Sequence, residues 1–177
     1  MGKIVVIEGT DCSGKTTQYD KLCERLKKEN ISFATDSFPD YESGSSYFVK
    51  EYLAGKYGTH PGDVSAKTAS TFFSLDRYNS YKTKEWGKTY RNGGNVLFAR
   101  YITSNVLHQA CKLKTEEEKD EFVKWIYEFE TQTLGIPKED IVIMLKVPYE
   151  KIKELKKIRG TTSSGTRDIQ EEDEEYL

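Results

Sequence analysis

A chain of 177 residues is long enough for one domain with a sizeable core. Charged residues make up 32%, yet the formal net charge is only -2, so bulk charge points to neither nucleic acid nor a membrane surface. No run of roughly 18 apolar residues is present to span a membrane. The three cysteines, Cys12, Cys23 and Cys111, lack CxxC spacing, which fits reduced cytoplasmic thiols and excludes a disulfide frame or a zinc site.

Lys3 to Glu8 reads as a short buried strand. Thr16 to Lys28 follows as a helix, with Tyr19, Leu22, Cys23 and Leu26 on one face. Ile31 to Phe38 suits a second strand ended by Pro39, and Ser45 to Ala54 a helix closed by Gly55 and Gly58. Ser65 to Lys84 reads as a long helix, and a shorter one stops at Asn92-Gly93-Gly94. Asn95 to Ala99 is a third strand, followed by a helix over roughly Ser104 to Lys112. Thr115 and Glu118 form a capping-box signature, and the next helix puts Phe122, Trp125, Ile126 and Phe129 on one face. Ile141 to Val147 is a near-continuous apolar run, which predicts a strand covered on both sides. Tyr149 to Ile158 reads as helix and Gly160 to Gly165 as a loop flanked by arginines. This alternation of strands and helices predicts a parallel sheet with helices on both faces, in a single domain spanning 1–177.

The loop between the first strand and helix, Gly9-Thr10-Asp11-Cys12-Ser13-Gly14-Lys15-Thr16, matches G-x-x-x-x-G-K-[ST] at every fixed position. Glycines let successive backbone N–H groups turn inward on phosphate oxygens. Lys15 adds charge near the outer phosphates, Thr16 offers a hydroxyl to Mg²⁺, and the helix presents its positive end to the same anion. The motif predicts binding of a nucleoside triphosphate. No Asn-Lys-x-Asp stretch is present to read guanine, which argues against a GTPase. Asp11 inside the loop favours a kinase, because a carboxylate beside phosphates needs a sugar hydroxyl, a metal or a cation as partner.

The stretches EGTDCSGKTTQ, FPDY, TFFSLDRY, ARYITSNVLHQA and TRDIQEEDEEYL, in that order and spacing, resemble those of thymidylate kinases of the bacterial type, over residues 3–177. The resemblance implies a three-layer α/β phosphate-loop NTPase fold with a lid at about 157–168. It also implies transfer of the γ-phosphoryl of ATP to dTMP, in dTTP biosynthesis, with Mg²⁺, in a cytoplasmic homodimer. Neither nucleic acid nor a membrane is expected as partner. By this resemblance Gly9 to Thr17 (Gly9, Thr10, Asp11, Cys12, Ser13, Gly14, Lys15, Thr16 and Thr17) hold the ATP phosphates, and Thr16 holds the metal. Asp11 holds the region of the dTMP 3′-hydroxyl, Phe38 and Tyr41 line the dTMP pocket, Phe73 stacks on thymine, and Arg77 bonds its O4. Arg100 contacts the dTMP phosphate and Asn105 faces the base near N3. The lid arginines Arg159 and Arg167 neutralise charge during transfer, with Asp11, Lys15 and Arg100 completing the catalytic set.

Departures from the family pattern qualify this reading. Ala99 stands where most members carry the aspartate of Asp-Arg-Tyr, the carboxylate that steadies Mg²⁺. Cys12 stands where some carry a loop arginine. The family continues past the lid with a further helix, a strand and a final helix, so this chain is expected to lack the last part of the fold and to be of low stability. A kinase for another nucleoside or nucleotide, or a catalytically impaired nucleotide-binding relative, are the alternative readings. His108 is expected to be structural.

Overall fold

Four short apolar runs pair into one parallel sheet in the order β2-β3-β1-β4, where β1 is Ile4–Gly9, β2 Phe33–Ser37, β3 Asn95–Ala99 and β4 Ile141–Leu145. The computed structural model describes residues 2–162, and from 156 onward the backbone alone. The helices are α1 (Lys15–Lys28), α2 (Tyr47–Leu53), α3 (Ala66–Thr83), α4 (Glu85–Arg91), α5 (Ile102–Ala110), α6 (Glu116–Glu128) and α7 (Tyr149–Thr162). Short 3₁₀ turns cover Gly44–Ser46 and Pro61–Asp63, and a π turn, Phe129–Thr133, continues α6.

Register places Ile4 opposite Val96 and Ile7 opposite Ala99. Val6 and Phe98, both fully buried, join Trp86, Tyr101, Ile102, Phe122 and Ile126 in the main core. The rings of Phe98 and Tyr101 stack at 4.6 Å, and Trp86 meets Phe98 edge-on at 4.8 Å. A second, smaller core lies under α2 and α3, built on Val49, Tyr52, Leu53, Val64 and Ala69, with Phe72 and Phe73 packed against it.

The chain leaves β1 for β2 on one side, then returns through β3 to β4 on the other. Strand order therefore reverses between β1 and β3, and the crevice at their carboxyl ends is where such sheets bind ligands. The loop from Gly9 to Gly14 leaves β1 there, and Arg100 leaves β3 beside it.

Several expected boundaries shift. The helix expected over Ser45 to Ala54 divides into a 3₁₀ turn and α2, because the Ser43 hydroxyl accepts from Ser45 N–H and closes a tight turn first. The helix after β3 starts at Ile102, not Ser104. Helix α7 continues through Gly160 to Thr162, where a loop was expected; a helix tolerates one glycine at a cost of about 1 kcal/mol. The expectation that the last apolar run is covered on both sides is not met among the described residues: there β4 is the sheet edge, and Ile141, Val142, Ile143 and Met144 are all exposed. An apolar run implies two covered faces only where layers continue past it, and among the described residues β1 is its one strand neighbour.

Candidate active site

The glycine-rich loop takes the backbone path its composition predicts. Gly9 has φ +155°, and a Cβ there would meet the Leu145 carbonyl oxygen at 2.8 Å, so only glycine fits. Gly14 is left-handed at φ +86° and sits as the N-cap of α1. Cys12 is also left-handed, at φ 63°, and a side chain there carries a steric cost that glycine would not. Left-handed residues among right-handed ones turn backbone N–H groups to a common side, a nest for an anion.

Lys15 opens α1, and its ammonium donates to the Gly9 and Thr10 carbonyls, each at 2.7 Å. Asp11 lies 3.8 Å from it. Burial, with Arg100 nearby, lowers the Lys15 pKa to about 8 against the pull of Asp11 and Glu8. Arg100, at φ 66°, turns the chain from β3 into α5 and ion-pairs with Asp11. Its other terminal nitrogen lies 2.8 Å from His108 Nε2, and both residues line the same cavity.

A cavity of about 950 Å³ gathers most of the expected residues. Asp11, Cys12, Gly14, Lys15, Thr16 and Thr17 line one end; Phe38, Tyr41, Phe73, Arg77, Arg100 and Asn105 line the rest. Gly9, Thr10 and Ser13 form the loop behind this wall. Phe38 has a double role: it is buried and packs 5.5 Å from Phe98, yet one face meets the cavity. Tyr41 is half-exposed at the rim. Arg77 is buried and paired with Glu130, whose charge holds the guanidinium above its ordinary value although burial opposes it. Asn105 lies inside α5 and caps nothing. The Arg159 side chain and Arg167 lie outside the described residues.

Four further residues were missed in the sequence. Glu8, fully buried at the end of β1, accepts from Gly9 N–H at 2.9 Å, Ser104 Oγ at 2.6 Å and Thr103 Oγ1 at 3.2 Å. It thereby complements the positive start of α5; an acid inside the apolar run KIVVIE was the available signal. Asp76 is buried under the 38–41 loop and accepts from Asp40 N–H at 2.8 Å and Ser45 Oγ at 2.6 Å. Gln109 is fully buried and lines the cavity, yet neither its amide nitrogen nor its oxygen has a partner among the described residues. A buried, unpaired amide at a cavity wall calls for a ligand to satisfy it. The fourth is Glu130, fully buried and paired with Arg77.

Among the described residues no three His, Cys, Asp or Glu side chains converge as a metal cage. Ala99, opposite Ile7, offers no donor. What remains is the Thr16 hydroxyl, with Asp11 on the same cavity wall. That set suits Mg²⁺ arriving on nucleotide phosphates, since Mg²⁺ takes most of its ligands from phosphate and water in such sites.

A parallel α/β sheet with a Gly-x-x-x-x-Gly-Lys-Thr loop at its switch point defines a phosphate-loop nucleotide-binding enzyme. The model of the thymidylate kinase family matches residues 7–177, and the chain belongs to that family. Thymidylate kinase of Mycobacterium tuberculosis (strain CDC 1551 / Oshkosh) is 32% identical over 174 residues, covering 97% of this chain and 79% of the relative. The Plasmodium falciparum thymidylate kinase is 29% identical and covers 90% of this chain and 75% of its own length. A solved structure of Candida albicans thymidylate kinase superposes with a TM-score of 0.65 at 22% identity, covering 96% of this chain and 71% of that one, which shows the shared fold. The chain is accordingly a kinase, a nucleotide-binding transferase of dTTP biosynthesis.

Proposed function

We propose that the chain transfers the γ-phosphoryl of ATP to dTMP by in-line displacement, with no covalent enzyme intermediate. The supporting observation is that Phe73 and Arg77 of α3, Asn105 of α5, Arg100 and the phosphate loop all line one cavity. Phosphoryl transfer asks a protein mainly for positioning and charge neutralisation. Lys15, the loop amides and the start of α1 hold the ATP phosphates. Arg100 holds the acceptor phosphate, which must compete with Asp11 for the guanidinium. Asp11, on exchanging its contact with Arg100, would turn to the sugar 3′-hydroxyl. Phe73 offers a flat face to thymine, Arg77 a donor to O4, and Asn105 a partner at N3. Phe38 and Tyr41 close the sides. Mg²⁺ entering with ATP would sit on Thr16 and supply charge neutralisation. The enzyme acts in the cytoplasm as a single-domain protomer of a homodimer; no helix of the described residues is long and apolar enough to cross a membrane.

The test is an ADP-release assay with ATP, Mg²⁺ and dTMP, beside dUMP and a control without acceptor. Turnover dependent on dTMP is expected. ADP release indifferent to acceptor, or preferring another nucleotide, would overturn the assignment. Binding of ATP and dTMP without turnover would place the chain among non-catalytic relatives.

A further inference from the structure

Glu130 has no counterpart in the proposed chemistry, yet it is fully buried beside the cavity residues. It sits at a core-facing spacing, four residues after Ile126 and eight after Phe122, both buried. The π turn, closed by Leu134 N–H donating to the Phe129 carbonyl at 3.0 Å, carries it toward α3 and α5. Such turns concentrate at functional sites.

Its carboxylate gathers three side chains from two helices. Arg77 Nε donates to Oε2 at 2.7 Å, and Arg77 Nη2 bonds Oε1, making a two-point fork. Ser74 Oγ lies 2.8 Å from Oε1. Asn105 Nδ2 donates to Oε1 at 3.1 Å and to the Ser70 carbonyl at 3.3 Å. A buried ion pair of this kind is weak as a source of stability, since an apolar isostere often does as well. Its consequence is orientational. A carboxylate paired to a guanidinium can only accept, so only the NH₂ end of Asn105 can face it. The amide is thereby locked with Oδ1 turned the other way, and nothing among the described residues donates to that oxygen. The fork likewise consumes Nε and Nη2 of Arg77, leaving Nη1 without an acceptor among the described residues. Both residues line the cavity.

We infer that Glu130 is a positioning residue that sets base selectivity by fixing Asn105 as an acceptor and Arg77 as a donor toward the bound base. This rests on the proposed reading of the cavity as the acceptor-nucleotide site. An acceptor beside a donor matches the N3–H and O4 edge of a pyrimidine-2,4-dione. It opposes cytosine, whose N3 accepts and whose N4 donates. A site with locked polar groups rejects the mismatched base because its own buried groups would go unpaired.

The test is Glu130→Gln, which keeps size and burial but can present either a donor or an acceptor, and so releases the Asn105 amide to turn. With ATP saturating, KM for dTMP is expected to rise at least tenfold while kcat changes less than threefold. The ratio of kcat/KM for dTMP over dCMP is expected to fall at least tenfold. A ratio unchanged within twofold, or a loss confined to kcat, would overturn the inference. If Glu130→Gln does not fold, calorimetry on the unaltered protein decides. N3-methyl-dTMP should bind at least thirtyfold more weakly than dTMP, and equal binding would overturn the inference. Failure of the unaltered protein to bind or phosphorylate dTMP at all would instead remove the underlying reading, so the two failures are distinct.

Discussion

At the end of β3, Ala99 sits opposite Ile7 and puts a methyl group where a carboxylate would face the nucleotide. Glu8, one residue further along β1, does not replace it, because its oxygens are taken by Gly9, Ser104 and Thr103. One preorganised electrostatic contact is worth about 3 kcal/mol to a transition state, or about a hundredfold in rate. Ala99→Asp is therefore expected to raise kcat by between about tenfold and a hundredfold and to lower the Mg²⁺ concentration giving half-maximal rate. Steady-state kinetics across a Mg²⁺ series checks both. Unchanged rate and metal dependence would show that Thr16 and the nucleotide suffice. At this scale the sequence was informative where chemistry is local. The phosphate loop needs consecutive residues of set types, so Lys15 and Thr16 were readable directly. Phe73, Arg77 and Asn105 came through family resemblance. Glu8, Asp76 and Glu130 escaped because their partners lie far along the chain, Glu130 and Arg77 being 53 positions apart; Gln109 escaped because its amide has no partner among the described residues to betray it.

Helix α3 works as a strut as well as a wall. Its inner side carries Arg77 toward the cavity, and one position earlier Asp76 ties the 38–41 loop down through Asp40 N–H and Ser45 Oγ. Burial pushes the Asp76 carboxyl up, while these two donors pull it back. Lys84, just past the helix, bridges Asp36 at 3.0 Å and Asp40 at 2.8 Å, reinforcing the same junction. Asp76→Ala should leave the Asp40 amide without its acceptor and free the loop that carries Phe38 and Tyr41. The expected cost is about 1–3 kcal/mol in urea unfolding, the scale of leaving a buried donor unsatisfied, together with a KM for dTMP raised several-fold and a KM for ATP unchanged. Strand β4 offers the contrasting case. Its apolar run was legible as strand but not as edge, since what lies beyond a strand is a property of the sheet and not of the run itself. Ile143, 41% exposed, should accept lysine at a cost below about 1 kcal/mol. The same change at Val6, 0% exposed, should prevent folding. Urea titration of the first variant and soluble expression of the second distinguish edge from core.

Across the whole molecule, the sheet order brings together segments that a linear reading keeps apart: residues 9–17, 38–41, 73–77 and 100–109 meet at the crevice between β1 and β3. The order of strands was not legible, but their parallel sense was, because each is separated from the next by a helix. One consequence of this convergence concerns heat and protons. The crevice holds Lys15 with a pKa of about 8, so near pH 8 about half the molecules carry it uncharged. Phosphate oxygens arriving beside it stabilise the ammonium and lift that pKa. Nucleotide binding must then draw protons from the buffer. Sign and range follow: below about pH 7 the lysine is already charged and uptake vanishes, it grows through pH 8, and affinity falls as pH rises further because each binding event must also supply the proton. Calorimetric titration with ATP at pH 8, repeated in buffers of different ionisation enthalpy, should show heats that scale with the buffer, with a slope of about half a proton taken up. Lys15→Met should remove that slope, and a heat independent of buffer in the unaltered protein would mean that Lys15 is charged before the nucleotide arrives.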